Sequence, residues 1–404
     1  MKILQLCKKF PYPLKDGESI AVNTLSRPLH NLGCEVSLLA MNTHKHYFQE
    51  DAYPEALSHY QDIIKVPVDS RVKPTDAFLN LFSRESYHIS RFVSPAFRQQ
   101  LIELLRSNTF DLIQLETPYL APYIPTIRQY SDALVAMRAH NVEHEIWERI
   151  AENTAFLPRR WYLKYLANKL RRYEARQLQQ YDMLVAITQR DLERFRKLGY
   201  QKAAAVAPIG ICSEAYQPDY SSYRRPLSIS FIGSLDWMPN QEGLLWFLSQ
   251  VWEPLARKYP ELELHIAGRN TPADWETKLA GNQVFIHGEV PDAAQFINGH
   301  SLMAVPLLSG SGMRAKILEG MALGRVVLTT SVGLEGIAAR PGKEVLLADT
   351  AEQFIRQIEH CRLQGQQMES MGRRARSFVT VEYDSQAIAR RLLDAYLALT
   401  MEVA

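Results

Sequence analysis

Short apolar runs alternate with longer segments of helical periodicity along most of the chain. Runs rich in β-branched residues or leucine predict strands at 3–6, 35–40, 63–68, 111–115, 133–138 and 183–188, and again at 227–233, 262–268, 283–288, 302–308 and 326–330. Periodic segments predict helices at 96–106, 159–180, 241–258, 313–323 and 351–363. This alternation is typical of parallel sheets with crossover helices, so the predicted fold class is α/β with two doubly wound domains.

One stretch between the two series shows neither strand nor helix periodicity. Residues 207–226 are rich in Pro, Ser and Tyr, which is typical of a linker between domains. We therefore predict one domain over 1–207 and another over 208–383. An amphipathic segment at about 384–400 predicts a last helix, and its pattern alone assigns it to neither domain.

Composition narrows the function classes. The chain has 404 residues, 47% of them hydrophobic, and a net charge of 46 − 44 = +2, with no interleaved basic and aromatic repeat, so we expect no nucleic-acid partner. The four cysteines lie far apart without CxxC or Cys/His spacing, which argues against structural zinc and disulfides and fits a reducing, cytoplasmic compartment. We expect no signal peptide at MKILQLCKKFPYP, and no run of about 18 apolar residues predicts a membrane span.

Ligands of open parallel sheets bind beyond the carboxyl ends of the strands, so candidate residues should follow strands. The stretch PLLSGSGMRAKILEGMALG (306–324) runs from a predicted strand through a Gly-rich turn into a helix. Its first turns carry Arg314 and Lys316, which the helix dipole disfavours by about 0.3–1 kcal/mol each when exposed. A phosphate bound at the free N–H groups would offset this placement. An ordinary glycine turn with a solvated charged face is the other interpretation, and the GxxxxGK[ST] pattern is absent.

The same helix has a second face of different character. Lys316 and Glu319 are three residues apart and hence neighbours. Met313, Ile317 and Met321 lie on another face, which we predict to be core.

Other predicted strands are also followed by candidate residues. In the second half these are Gly233, Arg269 and Gly288. In the first half, Gly17 follows the first strand, and MRAHNVEHEIW (137–147) places His140 near several polar side chains after another strand. A histidine can move a proton near neutral pH. The lone glycine and the lack of GxGxxG argue against a dinucleotide fingerprint.

These residues resemble a known family. The second half is similar to the retaining nucleotide-sugar glycosyltransferases of the GT-B fold, family 4 (glycosyltransferases group 1). The likeness is carried by FIGSLDWMPNQEGLLWF (231–247), LHIAGRN (264–270), VFIHGEVPD (284–292) and VPLLSGSGMRAKILEGMALGRVVLTTSVGLEGI (305–337), with MRAHNVEHEIW and YDMLVAITQRD (181–191) in matching order in the first half. It extends over nearly the whole chain and is most specific over 302–337.

The resemblance implies two facing Rossmann-like domains with an interdomain cleft, a nucleotide held mainly by the second domain, and a last helix (about 384–404) that returns to the first. It implies that Glu319 binds ribose hydroxyls, an acceptor role that suits a carboxylate. The resemblance further implies that the diphosphate and donor sugar are held by Lys316 and by the turn residues Gly310, Ser311, Gly312 and Met313. It implies that Gly233 and Ser234 contact the nucleotide, and that the base is read by the backbone of His287, Gly288 and Val290. In the first domain it places His140 near the transferred sugar and Gly17 near the donor phosphates.

Two departures from the family pattern bear on the donor. The family often has two glutamates spaced E-x7-E, and here Ser311 takes the first position. An Arg and Lys pair that is common after the first strand of the second domain is missing from GSLDWMPNQEG. Arg314, Lys316 and Arg269 are the candidates for supplying that charge.

We therefore predict a metal-independent hexosyltransferase that moves a sugar, with retention, from a UDP- or GDP-sugar to a glycan or lipid-linked acceptor. The role would be in cell-surface polysaccharide or glycoconjugate synthesis, and no cofactor is expected. Arg314, Lys316 and the 310–313 amides would stabilise the leaving diphosphate, and no Asp-x-Asp triplet follows a strand as a metal site. A nucleotide-sugar epimerase of the same fold and a non-catalytic partner protein are the alternatives.

The acceptor side is predicted in the first domain, at the aromatic and basic segments 71–106 and 116–130. The segment 157–176 holds seven Lys or Arg against Glu174. Two interpretations are open: a solvated helix whose Trp161, Leu166 and Leu170 enter the core, or a helix on the inner face of an anionic membrane. The first interpretation is the one we favour from the sequence.

Overall fold

The chain folds as two compact units. A computed structural model describes all residues except 15, 45–46, 50–52, 72–79, 81–85, 272–274, 276–282, 311 and 404. The first unit comprises 1–210 and 385–404, and the second comprises 211–384. The parts of the predicted acceptor segment at 72–79 and 81–85, and Ser311, lie outside the described residues.

The first unit is built on a seven-stranded parallel sheet with the order β3-β2-β1-β4-β5-β6-β7. Its strands are β1 Lys2–Cys7, β2 Glu35–Thr43, β3 Ile63–Val68, β4 Leu112–Leu115, β5 Leu134–Ala139, β6 Met183–Ala186 and β7 Ala203–Val206. Its described helices are α1 Gly17–Asn31, α2 Tyr87–Ser90, α3 Pro95–Ser107, α4 Ile124–Tyr130, α5 Glu143–Glu152, α6 Leu157–Gln177, α7 Gln189–Lys197 and, after the second unit, α14 Ser385–Val403.

Alternating residues of the central strand feed two separate cores. In β1, Leu4 and Leu6 pack on one face of the sheet, while Ile3 and Cys7 pack on the other. The period of two follows from the strand geometry. Because both faces of the sheet are covered, the central strands have continuous apolar sequences rather than alternating apolar and polar residues.

The second unit is built on a six-stranded parallel sheet with the order β10-β9-β8-β11-β12-β13. Its strands are β8 Ser228–Ile232, β9 Glu263–Ala267, β10 Val284–Gly288, β11 Leu302–Val305, β12 Val326–Thr329 and β13 Leu346–Leu347. Its described helices are α8 Met238–Phe247, α9 Glu253–Lys258, α10 Ala293–Asn298, α11 Ala315–Ala322, α12 Ala351–Leu363 and α13 Gly365–Glu382, with a π-helical segment at Leu248–Trp252.

Each predicted strand lies on an observed one, and the α/β fold class is confirmed. Two strands were missed: β7 has the sequence AAAV, and β13 is two residues long, so neither offers a long apolar run. The strand predicted over 302–308 ends at Val305, because Pro306 has no N–H to continue the ladder. The helix predicted over 241–258 is instead α8, a π segment and α9 in succession.

The last helix belongs to the first unit. It packs along α1, and its buried Tyr396 donates a hydrogen bond to Gln114 Oε1 at the end of β4 (2.7 Å). Among the described residues, no helix is both long and apolar enough to cross a bilayer.

The favoured interpretation of α6 is partly wrong. Leu166 and Leu170 are buried as predicted, at 5% and 0% exposure. Trp161, which we placed in the core with them, is 79% exposed. The prediction overlooked helical geometry. Trp161 is five residues before Leu166 and nine before Leu170, and these spacings put it on the side of the helix opposite to both.

Candidate functional site

The second sheet changes direction between β8 and β11. From β8 the chain builds outward through β9 and β10 on one side, and then returns to add β11 and β12 on the other. The connections that leave β8 and β11 therefore separate at their carboxyl ends. In open α/β sheets this point forms the ligand crevice. Here the crevice is bordered by the turn 233–237 and by the described residues of the turn 306–314.

Three glycines let the neighbouring strand ends approach each other. Gly233 N donates to Ala267 O (3.2 Å), and Gly268 N donates to Gly288 O (2.8 Å). A Cβ on Gly268 would lie 2.1 Å from the carbonyl oxygen of Gly233, so no larger residue fits there. Gly288 has φ +62°, a conformation that glycine adopts without strain. The turns after β8, β9 and β10 thus form one continuous backbone edge.

Lys316 reaches across the crevice from α11 to the turn after β8. Its Nζ donates to Asn240 Oδ1 (2.8 Å) and lies 3.3 Å from the carbonyl oxygen of Ile232. Asn240 is buried and donates in turn to Ser234 O (2.8 Å). The Lys316 side chain therefore lies beside the turn after β8, where the sequence lacks the common Arg and Lys pair, and it comes from a position 76 residues beyond Asn240.

Two causes lower the pKa of Lys316 from its usual value to about 7. Burial of the ammonium is the larger, and the charge of Arg314 acts in the same direction, while Glu319 opposes them. A ligand with negative charge beside Nζ would favour the protonated form.

Arg314 does not lie inside the helix as predicted. The helix α11 begins at Ala315, and Arg314 is its N-cap residue with extended backbone (φ −95°, ψ 92°). Its Nη1 donates to Gly312 O (2.9 Å), and its guanidinium lies 5.6 Å from the Trp237 ring centroid. The side chain is thus folded back over the turn instead of pointing along the helix, and it links the turns after β8 and β11.

The turn before Arg314 needs glycine at two positions. Gly310 and Gly312 have φ +114° and +79°, and a Cβ on Gly310 would meet Arg314 Nη2 at 2.7 Å. Met313, which follows, is buried with Ile317 and Met321, and the predicted core face is confirmed. Ser311, between the two glycines, is outside the described residues.

Glu319 is one helical turn beyond Lys316 and has a partner that the sequence did not indicate. The hydroxyl of Tyr216 donates to Glu319 Oε1 (3.2 Å). Burial raises the pKa of the Glu319 carboxyl, while the Tyr216 hydrogen bond and Lys316 act against that rise. The arrangement leaves the Oε2 oxygen as a further acceptor on the same carboxylate.

The remaining predicted residues of this unit lie along the same strand ends. Ser234 Oγ donates to Asp236 (2.6 Å), and the Arg269 carbonyl accepts from Leu235 N (2.8 Å). His287, on β10, lies with Nε2 3.0 Å from His265 Nδ1. Gly288 ends that strand, and Val290 follows it, half-buried.

The first unit has a similar change of direction, between β1 and β4. Glu116 follows β4 directly, and its Oε2 lies 2.7 Å from His140 Nε2 at the end of β5. Gly17 begins α1, capped by Asp16, and a Cβ placed on it would meet no atom within 4 Å. Thus His140 is held by a buried carboxylate, and open space lies beside Gly17.

Glu116 carries its charge despite complete burial. Burial alone would raise the pKa of its carboxyl, but Arg138 and the hydrogen bonds from His140 and Gln5 lower it to about 2. Gln5 Nε2 lies 2.5 Å from Oε1, and Gln114 donates to the same oxygen. A buried carboxylate with this many donors fixes the orientation of the imidazole it holds.

Sequence reasoning missed Glu116, Asn240 and Tyr216. Glu116 could have been found, because it follows the predicted strand 111–115 and obeys the same strand-end rule as His140. Asn240 lies just before the predicted helix 241–258, and Tyr216 lies in the segment interpreted as a linker. Neither carried a local signal, since both contacts join positions 76 and 103 residues apart.

A family model matches most of the second unit. The model for "Glycosyl transferases group 1" matches residues 226–362, which include β8 to β12, Lys316 and Glu319. This segment is a group 1 glycosyltransferase domain. The group 1 domain thus contains both turns of the crevice. A relative from Klebsiella pneumoniae, an uncharacterised 44.6 kDa protein in the cps region, is 28% identical over 169 residues; the match covers 40% of this chain and 44% of that protein.

Solved structures share the fold of the whole chain, which is the GT-B fold. A sucrose-phosphate synthase from Thermosynechococcus elongatus superposes with a TM-score of 0.74 at 14% identity, covering 100% of both chains. Anabaena Alr3699/HepE in complex with UDP gives a TM-score of 0.68 at 15% identity, covering 98% of this chain and 100% of that one. The first unit, outside the group 1 domain, is therefore part of the same architecture.

Raising the pH above 7 is expected to weaken nucleotide-sugar binding. A bound diphosphate would stabilise the Lys316 ammonium and raise its pKa above 7. Binding would then take up a proton at a pH between the two pKa values, and affinity would fall as the pH rises through that window. Calorimetry in two buffers of different ionisation enthalpy measures this proton uptake. The ligand is a nucleotide sugar, because its diphosphate does not titrate in this pH window. Lys316→Met should bind more weakly and without this pH dependence; an unchanged pH profile in that variant would refute the assignment.

Proposed function

We propose that the chain is an enzyme that transfers a sugar from a nucleoside-diphosphate sugar to a glycan or lipid-linked acceptor. The observation that carries the proposal is the group 1 domain with Lys316 and Arg314 at the crevice of its sheet. The leaving nucleoside diphosphate gains negative charge as the glycosidic bond breaks. Preorganised cations and backbone N–H groups are the usual means of stabilising such charge.

The nucleotide would be held by the remaining groups of the crevice. Glu319 would accept hydrogen bonds from the ribose hydroxyls, and the backbone at Gly288 would contact the base. The turn 310–313 would hold the diphosphate and the donor sugar. UDP- and GDP-sugars are both candidates; the solved Alr3699/HepE complexes contain UDP and UDP-glucose.

We further propose that the reaction retains the anomeric configuration of the donor sugar and needs no metal ion. The acceptor hydroxyl would attack on the face that the diphosphate leaves, which gives retention. Lys316 and Arg314 would neutralise the leaving group without a metal ion, and no cofactor is needed. His140, oriented by Glu116, would contact the sugar that is transferred, and Gly17 would leave room for the donor phosphates.

A role in cell-surface polysaccharide or glycoconjugate synthesis fits the relative in the cps region. We further propose that the enzyme acts in the cytoplasm, with peripheral contact at the inner face of the membrane, where a lipid-linked acceptor would be available. The acceptor would be bound by the first unit.

The test is an assay with UDP- and GDP-sugars, with and without a mixture of glycan and lipid-phosphate acceptors and with EDTA. We expect release of the nucleoside diphosphate that depends on acceptor and survives EDTA, and a product whose anomeric configuration by NMR equals that of the donor. Conversion of the nucleotide sugar without acceptor would instead indicate an epimerase. Binding without any turnover would indicate a non-catalytic protein.

His140→Ala is expected to lower kcat by about 10²–10³-fold, because the variant loses a positioned group at the transferred sugar. Donor affinity by calorimetry should change by less than about 3-fold, since the nucleotide is bound by the other unit. His360→Ala, at an exposed position on α12, is the matched control and should retain full activity. Normal turnover by His140→Ala would remove this residue from the mechanism.

A further inference from the structure

The helix α6 (Leu157–Gln177) has two apolar faces, and the first unit buries only one of them. The buried face packs into the core through Leu163, Leu166, Leu170 and Tyr173, each at most 7% exposed. An amphipathic surface helix needs a single apolar stripe of this kind. The second face lies outside this buried core.

The second face is a row of large apolar side chains in solvent. Leu157, Trp161 and Tyr165 follow each other at four-residue spacing and are 66%, 79% and 42% exposed. Phe156, 67% exposed, and Tyr162, 36% exposed, flank the row. Single exposed apolar residues are common, but a contiguous patch marks an interaction site. We call these five residues the aromatic row.

Cations surround the aromatic row. The exposed charged side chains of α6 are all basic: Arg159, Lys164, Arg171, Arg172 and Arg176. The one carboxylate of the helix, Glu174, is buried and serves inside the unit. Its oxygens accept from the backbone N–H groups of Glu143 and His144 (3.0 Å each) at the start of α5. The exposed face thus presents positive charge without a compensating carboxylate of its own.

We propose that this face of α6 docks on the surface of an anionic lipid bilayer. Tryptophan and tyrosine rings favour the boundary between headgroups and acyl chains, and Lys and Arg are attracted to anionic lipids. A helix of 21 residues extends about 30 Å, so it can lie in the plane of the interface with the aromatic row inserted. A second copy of the chain fits less well, since pairing two such faces would bring their cations together.

The inference deepens the membrane contact of the proposed function by naming the surface and the lipid class. It does not depend on sugar transfer, because the binding of a helix to lipid needs no donor. Docking here would hold the first unit at the layer that contains a lipid-linked acceptor.

The test is co-sedimentation of the full chain with vesicles of phosphatidylcholine alone or with 30% phosphatidylglycerol, at about 50 and 500 mM salt. We expect binding that requires the anionic lipid, weakens at high salt, and falls about tenfold or more in Arg171→Glu/Arg172→Glu. Arg390→Glu/Arg391→Glu, an adjacent exposed pair on α14 with the same charge change, should bind as the wild type does. Trp161→Ser should also weaken binding, and Met401→Ser, another exposed apolar position, should not.

Equal binding to both vesicle types, or equal loss in both charge-reversal pairs, would overturn the proposal. A dimer in light scattering that Trp161→Ser dissociates would assign the face to a second copy instead. Thermal stabilisation by nucleotide sugars, measured on the same variants without vesicles, should be unchanged, so a failure of lipid binding is distinguishable from a failure of the proposed function.

Discussion

Lys316→Ala is expected to lower kcat by about 10²–10³-fold, the effect of removing one preorganised partner of a developing charge. The ammonium lies at the crevice between β8 and β11, held by Asn240 and by the carbonyl of Ile232. Alanine leaves the diphosphate with Arg314 and the turn amides. Initial rates of nucleoside-diphosphate release, at saturating donor, give the comparison.

Two controls separate chemistry from folding. Lys258→Ala removes an exposed lysine from the same unit and should be fully active. Circular dichroism should show that Lys316→Ala keeps its helical content, because a lysine with a pKa lowered to about 7 by burial is not a source of stability at neutral pH. Near-normal transfer by a folded Lys316→Ala would exclude this lysine from the mechanism.

Glu319→Ala is expected to weaken nucleotide binding by about 10–100-fold. A hydrogen bond to a charged group contributes roughly 1.5–3 kcal/mol, so the loss of one such bond between Glu319 and the ribose hydroxyls accounts for this range. Calorimetry with the nucleoside diphosphate alone measures this without the sugar. The loss should be the same for nucleotide and nucleotide sugar, because Glu319 is assigned to the ribose.

Tyr216→Phe is the companion variant. It keeps the carboxylate and removes only the hydroxyl that donates to Oε1 (3.2 Å), so its effect on affinity should be much smaller. Glu359→Ala, at an ion pair with Lys258 in the same unit, is the charge-matched control and should bind normally. Unchanged affinity in Glu319→Ala would contradict the ribose assignment.

The positions at strand ends were predictable because they follow from local pattern. From an apolar run followed by glycine or a polar residue, the sequence alone predicts that Gly233, Gly288, His140 and Lys316 lie near the carboxyl edges of the sheets. The strand order then brings such positions together, since parallel strands share one carboxyl edge. The α/β fold class was predictable from the alternation of short apolar runs with segments of helical periodicity.

What the sequence did not predict depends on contacts between distant segments. Asn240 and Tyr216 are identified only by the atoms of Lys316 and Glu319 that they touch. Arg314 was expected within the helix, and the turn with positive φ at Gly310 and Gly312 places it at the cap instead. Trp161 was misplaced because its spacing from Leu166 and Leu170 puts it on the opposite side of α6, which the prediction overlooked.

The central claim is that the group 1 domain binds a nucleotide sugar through Glu319 and Lys316. A thermal-shift panel of UDP- and GDP-sugars on the wild type and on Glu319→Ala tests it most directly, since a ligand that binds the folded state stabilises it by about 2.7 kcal/mol at 100 times its Kd. We predict that sugars of one nucleotide raise the Tm of the wild type, and raise that of Glu319→Ala far less at the same concentration. Stabilisation by no nucleotide sugar, or equal stabilisation of both proteins, would contradict the account.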